Sequence, residues 1–116
     1  MVDFACKKFI FDDILKCSLG LTKKEFIVLK HLIDNSDMEL TTLKIKDKLN
    51  LNLTTIQKAV KKLSEKKILL KYKKNLDYGG YIYVYEVNYK SQIKIILKEI
   101  IKNWNKKVEE EIDKWE

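Results

Sequence analysis

Thr54, Thr55, Gln57, Lys58, Lys61 and Lys62 crowd into nine consecutive positions with no carboxylate among them, and the next acidic residue is Glu65. Amide and hydroxyl groups beside ammonium groups are the side chains that meet nucleic acid, Gln and Thr reaching base edges while Lys neutralises phosphate. They can act together only if one element presents them on one side. Ile56, Val60 and Leu63 recur between them at helical intervals, so a helix over about residues 53–66 buries those three and turns the polar set outward. Upstream, Leu43 or Ile45, then Leu49 and Leu51, supply a matching apolar face on a second short helix, and the chain breaks at Asn50-Leu51-Asn52. Asn52 is placed as N-cap, its side-chain oxygen taking a free amide of the first turn. Thr41 to Leu69 therefore reads as a helix-turn-helix whose second helix suits a DNA major groove.

Charge is distributed to match. Residues 41–90 hold twelve lysines against Asp47, Glu65, Asp77 and Glu86, whereas the rest of the chain holds twelve lysines against thirteen carboxylates. The whole excess behind the formal charge of +7 thus lies on this stretch, an electrostatic footprint for a polyanion rather than a diffuse solubility bias. Every one of the 24 basic residues is Lys. Lysine lacks the planar fork that reads guanine, so base reading falls to Gln57, Thr54 and Thr55 and favours A·T-rich sites.

Other elements must hold that helix. Ile68 to Tyr72 and Tyr81 to Val87 alternate as strands, and Asn75, Asp77, Gly79 and Gly80 supply the turn between them. This is a β-hairpin with Lys71, Lys73, Lys74 and Asn75 at its tip. Tyr81, Tyr83 and Tyr85 share one face of its second strand, suited more to packing than to stacking on bases. Thr22-Lys23-Lys24-Glu25 is a capping box that opens a supporting helix, with Phe26, Leu29, His31 or Leu32, and Ile33 as its core face. Met38-Glu39-Leu40 is a short strand candidate. Near the start, Phe4, Ile10 or Phe11, Ile14 and Leu15 predict a helix from about Phe4 to Ser18, although Phe9-Ile10-Phe11 alone also fits a strand. On one such helix Cys6 and Cys17 lie roughly 16 Å apart and cannot bridge, so two free thiols in a reducing cytosol are expected; a bond to the partner in an antiparallel dimer would make a redox switch. Gly20 ends this helix.

At the other end Ile93, Leu97, Ile100, Trp104, Val108, Ile112 and Trp115 are spaced 4, 3, 4, 4, 4 and 3 with no Gly or Pro. That seam predicts a long dimerisation helix. Its Lys90, Lys94, Lys98, Lys102 and Lys106 row and its Glu109, Glu110, Glu111, Asp113 and Glu116 end are each unfavourable alone and complementary between antiparallel copies.

The run Ile45-Lys-Asp-Lys-Leu49-Asn-Leu51-Asn52-Leu-Thr-Thr-Ile56-Gln-Lys-Ala59-Val60-Lys-Lys-Leu63 resembles the helix-turn-helix of MarR-like and TrmB-like winged-helix transcriptional regulators of archaea and bacteria. Thr55, Ile56, Ala59, Val60 and Leu63 match, and Asn52 stands where the family has a capping Ser. Leu19 to Ile33 before it and Gly79 to Val87 after it extend the likeness to about two-thirds of the chain; Lys67 departs from it, replacing a Gly that often ends the recognition helix. The resemblance implies a leading helix packed in a dimer interface and a wing reaching a minor groove or flanking phosphates.

The expectation is therefore a mainly α fold with a small β-wing (α+β): residues 1–20 a dimer-packing helix, 21–88 a winged helix-turn-helix, 89–116 a dimerisation helix. Its partners would be double-stranded DNA and a second copy, with no membrane, metal or cofactor, in the cytoplasm; an effector, small-molecule or redox, is left open. Asp12 and Asp13 point to different sides of a helix and His31 has no nucleophile beside it, so no catalytic set forms and no enzyme is expected. The rival is a winged helix used for protein contact within a transcription or adaptor assembly, which would need an apolar patch in place of the Lys58-Lys61-Lys62 cluster.

Overall fold

The computed structural model describes all residues, Met1–Glu116. Its first departure from expectation comes at once. Residues 1–20 are not one helix: Val2–Phe4 (β1) and Lys7–Phe9 (β2) pair antiparallel around a two-residue turn, Ala5-Cys6, and only Phe11–Ser18 (α1) is helical. The helix starts where its acids can serve it. Asp12 and Asp13 occupy the first turn, favourable for the helix dipole, and the Ile10 amide donates to Asp13 Oδ2 at 3.2 Å. The Phe9-Ile10-Phe11 run is divided: Phe9 ends β2, Ile10 is the N-cap of α1 and Phe11 its first residue. Cys6 thus sits in the hairpin turn and Cys17 on α1, both free and exposed, so the single-helix spacing between them does not apply.

α1 closes with Gly20 at φ +64, the Leu21 amide donating to the Lys16 carbonyl at 3.0 Å, a glycine-capped end in the left-handed region. Thr22 then caps Lys23–Asp34 (α2) through the expected box: the Glu25 amide donates to Thr22 Oγ1 at 3.2 Å and the Thr22 amide to Glu25 Oε1 at 2.8 Å. Thr42–Leu49 (α3) and Leu53–Glu65 (α4) form the helix-turn-helix. Asn50 makes the break at φ +53, and Asn52 Oδ1 accepts the Thr54 amide at 2.8 Å.

Behind α4, Ile56, Ala59, Val60 and Leu63 are buried against Val28, Leu29 and Leu32 of α2 and Ile45 of α3. The alternatives left by spacing resolve by burial: Ile45 is inside and Leu43 60% exposed, Leu32 is inside and His31 half-buried. Each such aliphatic side chain contributes roughly 1.5–3 kcal/mol over an exposed one. That turns the opposite face of α4 outward.

Leu69–Asn75 (β3) and Tyr81–Val87 (β4) pair antiparallel from Leu69↔Val87 to Asn75↔Tyr81. The third strand shrinks to a single bridge, Leu40 to Tyr85. Lys67 takes φ +65 without being Gly: the Lys67 amide donates to the Ser64 carbonyl and the Ile68 amide to the Leu63 carbonyl, while buried Leu63 and Ile68 close the motif. Asn88 Nδ2 holds the Lys67 carbonyl at 2.9 Å. The chain ends in Lys90–Asp113 (α5). Its seam divides: Leu97 belongs to the core, with Ile93 and Ile100 packed against it, whereas Trp104 and Ile112 are about 60% exposed and Val108 half-buried. Leu97 is thus buried in this chain's own core, and Ile93 and Ile100 pack against that core while remaining half-buried. The hydrophobic face is longer than the globular part can cover, and the molecule extends 65 × 26 × 23 Å. The architecture is an α+β winged helix, with five helices and two antiparallel hairpins.

Candidate nucleic-acid interface

Because the aliphatic face of α4 is anchored, the opposite face is fixed in direction. Thr54, Gln57, Lys58 and Lys61 are exposed on it and Thr55 is half-buried. Lys62 does not join them. Its Nζ donates to Glu25 Oε1 at 2.8 Å and to the Gly20 carbonyl at 3.2 Å, so the ammonium is tied to the α1–α2 turn while the side chain stays 40% exposed.

The wing flanks this face. Lys71, Lys73, Lys74 and Asn75 are all exposed, but they lie along β3 and not at the tip, which is the loop 76–80. Lys71 Nζ sits 4.0 Å from the centre of the Tyr83 ring and Lys73 Nζ 4.1 Å from that of Tyr81. These cation–π pairs align the two ammonium groups along one side of the hairpin. The rings of Tyr81 and Tyr83 meet edge to face at 5.5 Å and remain exposed, so only Tyr85 packs against the helices. Burial, and then the neighbouring Tyr83, push the Tyr85 hydroxyl above its ordinary range, keeping it neutral. Lys74 lies 3.9 Å from Glu39, an exposed pair of little strength.

Between α3, α4 and the wing runs an open groove of about 930 Å³, lined by Thr42, Lys44, Gln57, Lys61, Lys71 and Tyr83 among others. Around α4 the basic surface continues to the start of α2, where Thr22, Lys23 and Lys24 border a smaller hollow with Thr55 and Lys58. Lys23, Lys24 and Lys44 were missed by sequence reasoning, which judged each segment by its own run of charge. Their helical phase relative to α4 is a tertiary property, and no local signal reports it. Glu25 was legible as a cap but not as a partner, because Lys62 lies 37 positions away. Burial raises the Glu25 pKa, but Lys62, the Thr22 amide and hydroxyl, and the lysine charge together hold the carboxyl below its ordinary value. No group of three or more His, Cys, Asp or Glu gathers as a metal site, and no helix is long and apolar enough to cross a membrane.

Comparison with known proteins agrees with the fold. The family model of the DnaD N-terminal domain matches residues 10–109. An uncharacterised protein of Methanocaldococcus jannaschii is 31% identical over 102 residues, covering 88% of this chain and 82% of its own. A solved structure described as a possible transcriptional regulator from Methanosarcina mazei superimposes with TM-score 0.85 at 40% identity, covering 100% of this chain and 97% of that one. A variant of MepR from S. aureus bound to an oligodeoxyribonucleotide gives TM-score 0.55 at 17% identity over 90% of this chain and 72% of that one, a likeness of fold alone.

Proposed function

This chain belongs to the DnaD N-terminal domain family, and we propose that it acts as a homodimeric transcriptional regulator that binds double-stranded DNA in a sequence-specific way. The observation that carries the reading is the outward face of α4. Thr54, Gln57, Lys58 and Lys61 stand exposed on a rigid helix, beside a groove whose far wall is the lysine-bearing wing. α4 enters the major groove, with Gln57, Thr54 and Thr55 on base edges, Lys58 and Lys61 on phosphates, and Lys71, Lys73, Lys74 and Asn75 of the wing on flanking DNA. The motif residues Thr55, Ile56, Ala59, Val60 and Leu63 ally it with MarR-like and TrmB-like regulators. The Methanosarcina mazei protein, described as a possible regulator, supports the class.

The second copy follows from α5. Ile101, Trp104, Ile112 and Trp115 leave an apolar stripe uncovered beyond the core, and Phe4, Ile10 and Phe11 are exposed at the other terminus. An antiparallel partner would cover the stripe and set the acidic end beside the lysine row. Residues 1–20 and 89–116 are thus the dimer-forming ends, and 21–88 the reading unit. A binding titration against random and selected duplexes at two salt concentrations tests the reading. Affinity should fall about 10³-fold or more between 50 and 200 mM salt for six or more phosphate contacts. A salt-independent affinity, or none, would instead favour the protein-contact rival.

A further inference from the structure

One lysine of α4 is bonded within the chain instead of standing free on the outward face. Lys62 Nζ reaches Glu25 Oε1 at 2.8 Å and the Gly20 carbonyl at 3.2 Å, and the same carboxylate oxygen accepts the Thr22 amide at 2.8 Å. Glu25 is 3% exposed and is the one charged residue in the protein interior. Gly20 ends α1, Thr22 begins α2, and Lys62 belongs to α4, so three elements meet at one ammonium group. α1 in turn packs against α5, the helix whose far half carries the uncovered stripe.

We infer that Lys62 is a positioning residue, and that its bond to Glu25 and Gly20 sets the rotation of α4 relative to α2 and the α1–α2 turn. The inference rests on the DNA-binding reading and assigns Lys62 a role within it other than phosphate contact. Apolar packing alone leaves a helix some freedom to roll, because aliphatic side chains are non-directional. A charge-assisted hydrogen bond to a buried carboxylate is directional and cannot be broken cheaply, since it would strand a charge away from water. It lies one helical turn from Lys58 and next to Lys61, so a roll of α4 would move the base-reading set first. The Gly20 carbonyl adds a tie to the turn that follows α1, through which the spacing of the two reading helices in a dimer would be kept.

The discriminating variant is Glu25→Gln. It keeps one oxygen that can accept the Thr22 amide, puts an NH2 in place of the other, and removes the negative charge that attracts Lys62. If Lys62 is a phosphate contact restrained by Glu25, freeing it raises affinity and steepens the salt dependence by about one contact. If Lys62 positions α4, Glu25→Gln loses affinity for a selected duplex by roughly tenfold, within the range spanned by couplings inside one hydrogen-bonded network, and the salt slope stays put. Lys62→Met should lose the same amount with the same slope, and the double variant no more than either single one. Lys61→Met is the control and should lower the salt slope by about one. A gain of affinity in Glu25→Gln, or additive losses in the double variant, overturns the assignment. Amide exchange across Thr54 to Lys61 gives a readout independent of DNA. Protection there should drop in both Glu25→Gln and Lys62→Met relative to α5, and unchanged protection overturns the tie even if Lys62→Met folds poorly. A wild-type chain with no duplex affinity would remove the DNA-binding reading alone, leaving the exchange result to decide the tie.

Discussion

Lys62 and Lys67 stand five positions apart in a stretch whose charge pointed to a polyanion, and each also has a part in the fold. Lys67 is placed by its backbone, in the left-handed seat that a glycine usually fills, with Asn88 bracing its carbonyl. Lys62 is placed by Glu25. The seat of Lys67 at the end of α4 was legible because its turn closes on Leu63 and Ser64, whereas the role of Lys62 was not, because Glu25 lies 37 positions away. By contrast the caps were fully legible, since Asn52 and Thr22 act on amides two or three residues onward. The Glu25 carboxyl also makes a pH prediction. Its folded pKa lies below the ordinary 4.5, so its ion pair contributes stability above that pH and loses it as pH falls through the folded value. Thermal midpoints of wild type and Glu25→Gln should therefore differ near neutrality, with the wild type higher, and converge as pH drops below about 4.5. A gap that persists or widens in acid would mean that the pair adds nothing.

Among the elements, those defined by a sustained apolar period came through best. α4 begins and ends within a residue of expectation, α2 opens at the expected capping box, the break before α4 falls at Asn50, and the wing pairs as its alternation required. The N-terminal segment failed because five apolar residues fit two periods at once. There, the acids at positions 12 and 13 decided where the helix could start. α5 was half legible: its length and periodicity are as read, but spacing could not say that Ile93, Leu97 and Ile100 would meet the chain's own core. That division sharpens the dimer prediction. Substituting Trp104 and Ile112 with Glu should shift the sedimentation profile from dimer to monomer with little loss of helix content, since both side chains are exposed in the single chain. Leu97→Ala should instead lower stability by roughly 2–5 kcal/mol, as for other truncations of buried aliphatic residues. A dimer unaffected by the Trp104 and Ile112 substitutions would put the interface elsewhere.

For the whole molecule, the family and the winged-helix fold rest on different observations from the function. Residues 10–109 match the family, and the core explains why the fold forms, whereas the proposed function depends on how two copies would place two α4 helices. A long apolar rod at one end and a basic face near the middle fit a two-fold reader whose half-sites lie about one turn, or ~34 Å, apart. The lack of Arg would narrow what such a reader prefers, and the proposed lysine contacts from both wing and helix would make its affinity strongly dependent on salt. The most direct measurement is a hydroxyl-radical footprint on a duplex selected by the protein from a random pool. The account predicts two protected patches about one helical turn apart over an A·T-rich site, both erased by Gln57→Ala with Lys61→Ala. A selected pool without consensus, or a single patch that survives those substitutions, would contradict it.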